Sequence, residues 1–212
     1  NGAIITKTNM PPMIATIAMM SILRGIAYMI SNGQSIIGFP ESFRGLGQGF
    51  VGGVIPVPVI IMVGCLIVGW FILTKTYFGR YFFAIGGNET AAELSGIEVN
   101  RMKRLAYSIC GLFVGIAGII MLSRLNSGSP LTGKDFEFDV LTAVVLGGVS
   151  ISGGRAKISS VIIGVLIIGV LTNGFVLLNV GEYPQLVVKG VVLLLAVGFD
   201  CLSRNRETQK IA

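Results

Sequence analysis

An all-α, polytopic transmembrane helical bundle is the fold class this sequence predicts, and three observations predict it. Of the 212 residues, 53% are hydrophobic and only 12% are charged, about half the charged fraction of an ordinary soluble domain. Such a chain cannot cover a water-facing surface, so its apolar residues must meet something other than water. The apolar residues also fall in runs at 11–30, 54–73, 105–123, 158–178 and 186–202, near the ~20 residues that a ~30 Å hydrocarbon core demands of a helix. Finally, the basic residues sort by loop rather than scattering.

The sorting sets an expected orientation. With residue 1 inside, the inner segments hold Lys7, Lys75, Arg80, Arg101, Lys103, Arg104, Arg155, Lys157, Arg204, Arg206 and Lys210, and the outer ones only Arg44, Arg124 and Lys134. Arg24 and Lys189 fall within spans. This bias requires the sixth, shorter run, 139–152, to cross as well. Six crossings with both ends cytoplasmic are therefore expected. The net charge of +6 is then explained by membrane orientation, and no nucleic-acid partner is expected.

The individual spans carry local support. Pro11 and Pro12 open the first, and Pro56 and Pro58 lie near the start of the second, where missing amide donors cost little. The short run is interrupted by Gly147, Gly148, Gly153 and Gly154. At roughly 21 Å of helix it is too short to face lipid. It must be buried among other helices and completed by the irregular stretch 150–157. Broken helices at membrane depth are tolerated where they line a cavity, and in transporters they often mark substrate routes; a re-entrant hairpin with no transport role is the competing reading. Gly147, Gly148, Ser150, Gly153 and Gly154 are therefore candidate pathway residues. Asn173 joins them as an intramembrane amide, with a helix–helix hydrogen bond as its competing role.

Two nucleotide-binding patterns are rejected. Gly47-Gln48-Gly49-Phe50-Val51-Gly52 matches a dinucleotide fingerprint, but it lies in a short outer loop with no βαβ unit around it, and reads as a flexible turn. Gly128 to Lys134 resembles a phosphate-binding loop, but Asp135 follows where Ser or Thr would bind magnesium. No cofactor is expected. The absence of histidine removes His-based triads and metal sites, and Cys65, Cys110 and Cys201 stand singly in apolar stretches. Asp135, Glu137 and Asp139 read as solvated loop charges, with Asp139 also placed to favour the dipole of the following helix.

The inner loop 74–104 is the informative segment. Within it, residues 88–96 read as a short capped helix: Asn88 as N-cap, Glu89 in the first turn, and Gly96 in a left-handed C-cap. Ala91, Ala92 and Ser95 make a small-residue face that admits close approach of a partner. Glu89 and Glu93, four apart, can reach basic groups on one side of it. A helix lying on lipid headgroups would need a stronger apolar face.

These residues resemble a known family. Gly79-Arg80, Ala84 to Asn88, Ala91-Ala92, Leu94 to Ile97, Val99, Lys103 and Tyr107 resemble the cytoplasmic coupling loop of ribose-type permeases of ATP-binding-cassette importers. Pro11 to Thr16 with Arg24-Gly25, Ala143 to Ser150 with Gly153-Gly154, Asn173-Gly174, and Ala196-Val197 with Asp200 continue the likeness. Branched-chain amino-acid permeases share the superfamily but carry a charged Arg-Glu-Asn where this chain has Gly86-Gly87-Asn88. The resemblance implies one permease domain over 1–212 that translocates a monosaccharide, ribose first, and hydrolyses no ATP itself. Other pentoses or hexoses, an autoinducer-like sugar or a branched-chain amino acid are the alternatives. It also implies a cytoplasmic ATPase subunit, a periplasmic or lipid-anchored sugar-binding protein, a second permease copy, and residence in the bacterial cytoplasmic membrane among its lipids. Asn88, Glu89, Ala91, Ala92, Glu93, Ser95 and Gly96 would be the ATPase-coupling residues. The family has ten spans, so the chain, beginning at Asn1, reads as the last six. An ion-coupled carrier would instead need an intramembrane acid; Asp200 lies near the inner end of its expected span and Asp139 at the edge of the short run, so no acid is expected at the midplane.

Overall fold

The computed structural model describes the backbone of residues 1–151 and 153–209 and the side chains of residues 1–151 and 153–198. Ser152 and Lys210 lie outside the described residues, as do the side chains of Asp200, Cys201, Arg204 and Arg206. The chain divides into two units, residues 1–82 with 90–132 and residues 83–89 with 133–212.

The first unit is organised along one long helix. Its elements are α1 (Gly2–Thr8), α2 (Pro12–Ser31), β1 (Ile36–Ile37), α3 (Glu41–Gln48), β2 (Phe50–Val51), β3 (Ile55–Pro56), α4 (Val57–Lys75), the start of α5 (Tyr77–Gly87), all but the first residue of α6 (Glu89–Leu94), α7 (Val99–Leu125) and β4 (Ser127–Gly128). Pro12 sits at the first position of α2, and Pro56 precedes α4, as the spacing of the prolines requires.

Two close approaches fix what meets the ends of α7. Near one end α1 packs so tightly that a Cβ on Gly2 would lie 3.0 Å from the Tyr107 Cβ and 3.1 Å from the Arg104 Cα. Near the other, Gly47 of α3 leaves no room for a side chain against the backbone of Ser123 and Arg124. Residues 104 and 123 are separated by roughly 28 Å of helix, about a hydrocarbon core. Residues 2 and 47 thus lie at opposite ends of a membrane-length helix, and α2, 20 residues long, is the long helix that carries the chain between them.

Loop 31–53, expected on the outer face, differs from the sequence reading. Residues 31–53 were expected to be turn-rich, with Gly47 to Gly52 a flexible turn. They hold a helix, α3, anchored on α7: the Gly47 amide donates to Ser123 Oγ at 2.7 Å, and Ser123 Oγ donates in turn to the Phe43 carbonyl at 2.5 Å. Ser123 is fully buried, so its hydroxyl serves as an internal polar joint that periodicity does not reveal. β1 then pairs antiparallel with β4, Ile36 opposite Gly128, which ties loop 31–53 to loop 124–138. The two loops expected to share the outer face do lie together.

The second unit contains the last residues of α5 with α8 (Phe136–Leu146), α9 (Ile158–Leu177) and α10 (Glu182–Gln209). α8 packs against both α9 and α10. Its contact with α9 is made by small residues at four-residue spacing. A Cβ on Gly164 would strike the Ala143 carbonyl, and one on Gly147 would come within 2.7 Å of the Ser160 carbonyl and 2.9 Å of the Val161 Cα. Ala143 with Gly147, and Ser160 with Gly164, form a small-xxx-small pairing that lets two backbones touch.

α8 begins three residues before the expected run and stops at Leu146 because Gly148 turns left-handed, at φ 72°. The Gly148 amide donates to the Val145 carbonyl at 2.8 Å and the Val149 amide to the Val144 carbonyl at 3.2 Å, the paired bonds of a Schellman cap. At 11 residues α8 is roughly 16 Å long, and its Thr142, Ala143 and Val145 are buried.

The protein is a polytopic helical membrane protein. Among the described residues four helices are long and apolar enough to cross a membrane, namely α2, α4, α7 and α9, and most of their large apolar side chains are exposed. The run expected at 186–202 lies within α10.

Candidate functional site

α5 starts where α4 ends: Thr76 breaks the helix, its Oγ1 donating to the Ile72 carbonyl at 2.6 Å, and the buried Gly79 passes directly against the Leu73 backbone. α5 then runs to Gly87, and α6 follows after Asn88, whose amide donates to the Ala84 carbonyl at 3.0 Å.

The far end of α6 closes as its residues require. Gly96 adopts φ 84°, its amide donates to the Glu93 carbonyl at 2.9 Å, and the Ile97 amide donates to the Ala92 carbonyl at 3.1 Å. That is a second Schellman cap. Ser95 Oγ bonds back to the Ala91 carbonyl at 2.8 Å. Asn88, Glu89, Ala91, Glu93, Ser95 and Gly96 are all exposed. Ala92 is not: it is 4% exposed, so the open small-residue face comprises Ala91 and Ser95, and Ala92 points inward. Leu94, 86% exposed, is the apolar side chain that α6 presents. The sequence reading did not single it out, although a leucine on an otherwise polar, capped helix is the signal that could have done so.

The candidate pathway residues separate into two groups. Gly147 is buried at the α8–α9 contact. Gly153 and Gly154, at φ 91° and 78°, lie against Gly86 and Gly87: a Cβ on Gly153 would come within 2.9 Å of the Gly86 carbonyl oxygen, and one on Gly154 within 2.9 Å of the Gly87 Cα. By contrast, Gly148 has open space where a side chain would stand, and Asn173 is exposed on α9. Ser150 is half-buried, and its amide donates to the Arg155 carbonyl at 3.1 Å, closing the loop between α8 and α9.

Asp139 is corrected from a solvated loop charge to a structural ion pair. It lies in the first turn of α8 and accepts a hydrogen bond from Lys189 Nζ of α10 at 2.8 Å, with side-chain exposures of 20% and 16% respectively. The sequence placed the lysine in a span and the aspartate at a membrane edge, 50 residues apart, with nothing local to join them.

Comparison with known proteins gives a consistent account. The model of the family described as branched-chain amino acid transport system / permease component matches residues 1–197. The chain is 50% identical over 202 residues to ribose import permease protein RbsC of Bacillus subtilis, covering 94% of this chain and 62% of that protein. It is 46% identical over 203 residues to the protein of the same name from Escherichia coli, covering 94% and 63%. It is also 46% identical over 200 residues to L-arabinose transport system permease protein AraH of Escherichia coli, covering 94% and 61%. The chain thus spans a little over three fifths of the length of these relatives. No solved structure matches it.

Proposed function

The chain belongs to the family of branched-chain amino acid transport system permease components, and on that premise we propose that it is part of the permease subunit of an ATP-binding-cassette importer for a monosaccharide, ribose first. The half-identity to a ribose import permease carries the choice of sugar over amino acid, and Gly86-Gly87-Asn88 in place of a charged triplet agrees with it. Arabinose is the second substrate reading, because an arabinose permease is nearly as similar.

In this reading the protein performs no chemistry on its cargo. ATP hydrolysis occurs on a cytoplasmic ATPase subunit, and α6, with Ala91, Ser95 and Leu94 outward and Glu89 and Glu93 flanking them, seats on that subunit. A sugar-binding protein delivers the substrate from outside, and a second permease copy completes the path through the bacterial cytoplasmic membrane. Six crossings with both ends of this chain cytoplasmic follow from the basic residues. Gly148, Ser150 and Asn173 are the residues assigned to the route, where a neutral sugar needs hydrogen-bond partners rather than a fixed charge.

The test is uptake of labelled ribose and arabinose by cells carrying the full-length permease with its neighbouring transport genes. Ribose uptake that stops on ATP depletion and survives an uncoupler supports the proposal. Uptake abolished by the uncoupler alone would establish an ion-coupled carrier instead, and transport of leucine but neither sugar would reassign the substrate.

A further inference from the structure

We infer that the contact of Gly86 and the Gly87 main chain with Gly153 and Gly154 is a rigid joint that carries movement of the coupling helix α6 into the α8–α9 turn, so that Gly86, Gly153 and Gly154 position the translocation pathway rather than line it. The inference rests on the transport reading above. Gly86 precedes α6 by three residues in the sequence, so whatever displaces α6 pulls on it directly. Gly153 and Gly154 belong to the turn that ends α8 and begins α9.

The fit between the two segments is backbone on backbone. A Cβ on Gly86 would collide with the Gly154 amide nitrogen and lie 3.2 Å from the Gly153 carbonyl carbon. With no side chain interposed, there is no rotamer freedom to absorb a displacement. Both loop glycines have positive φ, a conformation that glycine adopts at little cost and other residues resist. The loop is also braced from within, because the Ser150 amide donates to the Arg155 carbonyl and the Gly153 amide to the Ser150 carbonyl at 3.0 Å. Beyond the turn, the Gly147 backbone against Ser160 and Val161 continues the same close contact into α8 and α9. A push on Gly86 therefore meets main chain at Gly153 and Gly154, in the turn that follows the broken helix.

The neighbouring glycines supply a matched control. Gly86 and Gly87 both lie in α5, so alanine suits the backbone of either. A Cβ at 87 meets nothing within 4 Å, whereas one at 86 prises the joint open. In the full transporter, Gly86→Ala is expected to lower sugar uptake at least tenfold while membrane level and ATPase-subunit co-purification stay unchanged, and Gly87→Ala to transport like wild type. Equal uptake by the two variants overturns the joint.

Should Gly86→Ala accumulate poorly, hydrogen exchange in the unmodified transporter decides. Peptides covering residues 83–88 and 153–157 are expected to keep the same protection with and without ATP. Loss of protection in both peptides on adding ATP would show that the segments part during the cycle and would overturn the inference. Because this measurement needs no uptake, failure of the unmodified permease to carry sugar would count against the transport proposal and leave the joint to be judged by the exchange.

Discussion

Lys189 Nζ lies 2.8 Å from Asp139 Oδ2, joining α10 to the first turn of α8 through a pair that is mostly withdrawn from solvent. A charge in such a place is tolerated only with its partner, and removing one member of a buried pair costs about 3–5 kcal/mol, whereas replacing both with apolar groups is often neutral. Lys189→Met is therefore expected to lower the Tm of the purified permease by several degrees, and Asp139→Leu to do the same. The double variant should recover most of the loss. Additive losses in the double variant would show that the pair does not act as a unit.

The α8–α9 contact predicts a second matched pair. Gly164 sits where any Cβ would strike the Ala143 carbonyl, whereas Gly169 on the same helix has open space. Gly164→Ala should force α8 off α9, destabilise the protein in detergent and abolish uptake. Gly169→Ala should be tolerated in both assays. Thermal melts of the two variants side by side distinguish this close packing from general intolerance of larger residues in α9.

Ser123 predicts an effect on loop 31–53. Ser123→Ala leaves the buried Gly47 amide without its acceptor, which costs about 1–3 kcal/mol, and releases α3 from α7. Limited proteolysis should cut within residues 41–53 faster than in wild type. An unchanged cleavage rate would mean that α3 is held by its other contacts alone.

If α6 is the coupling element, as proposed, docking and folding should separate. Leu94→Asp changes an exposed side chain and should leave the membrane level unchanged while reducing ATPase-subunit co-purification several-fold. Gly96→Val places a β-branched residue at positive φ, at a cost of about 1–3 kcal/mol, and should loosen α6 and lower uptake. Ala92→Trp, at a buried position, is expected to disturb packing as well as docking and so to lower the membrane level too. Co-purification of Leu94→Asp at the wild-type level would remove that side chain from the docking surface.

Topology is tested by accessibility. Cysteines at Ser42 and Ser129, in a background lacking native cysteines, should react with an impermeant thiol reagent added outside intact cells, and one at Ser95 should not. External labelling of Ser95→Cys would invert the proposed orientation.

The sequence by itself determined the class of the molecule, the four long apolar helices, the interruption of the short one and the closing cap of α6. Each of these depends on residues adjacent in the chain: runs of apolar side chains, prolines at helix starts, glycines where a helix must end left-handed. The family resemblance was legible for a similar reason, since the loop around residues 79–107 carries its residues in one continuous stretch. What only the tertiary structure decided involves groups far apart in sequence. Gly47 meeting Ser123 seated the end of α3 where the whole stretch from Gly47 to Gly52 was expected to be a flexible turn, Lys189 drew Asp139 out of solvent, Ala92 turned inward while Leu94 turned out, and Gly86 came to rest on Gly154. Periodicity and composition record which face of a segment is apolar. They do not record which backbone will lie against which, because that depends on how small residues from distant segments let helices and loops close to van der Waals contact.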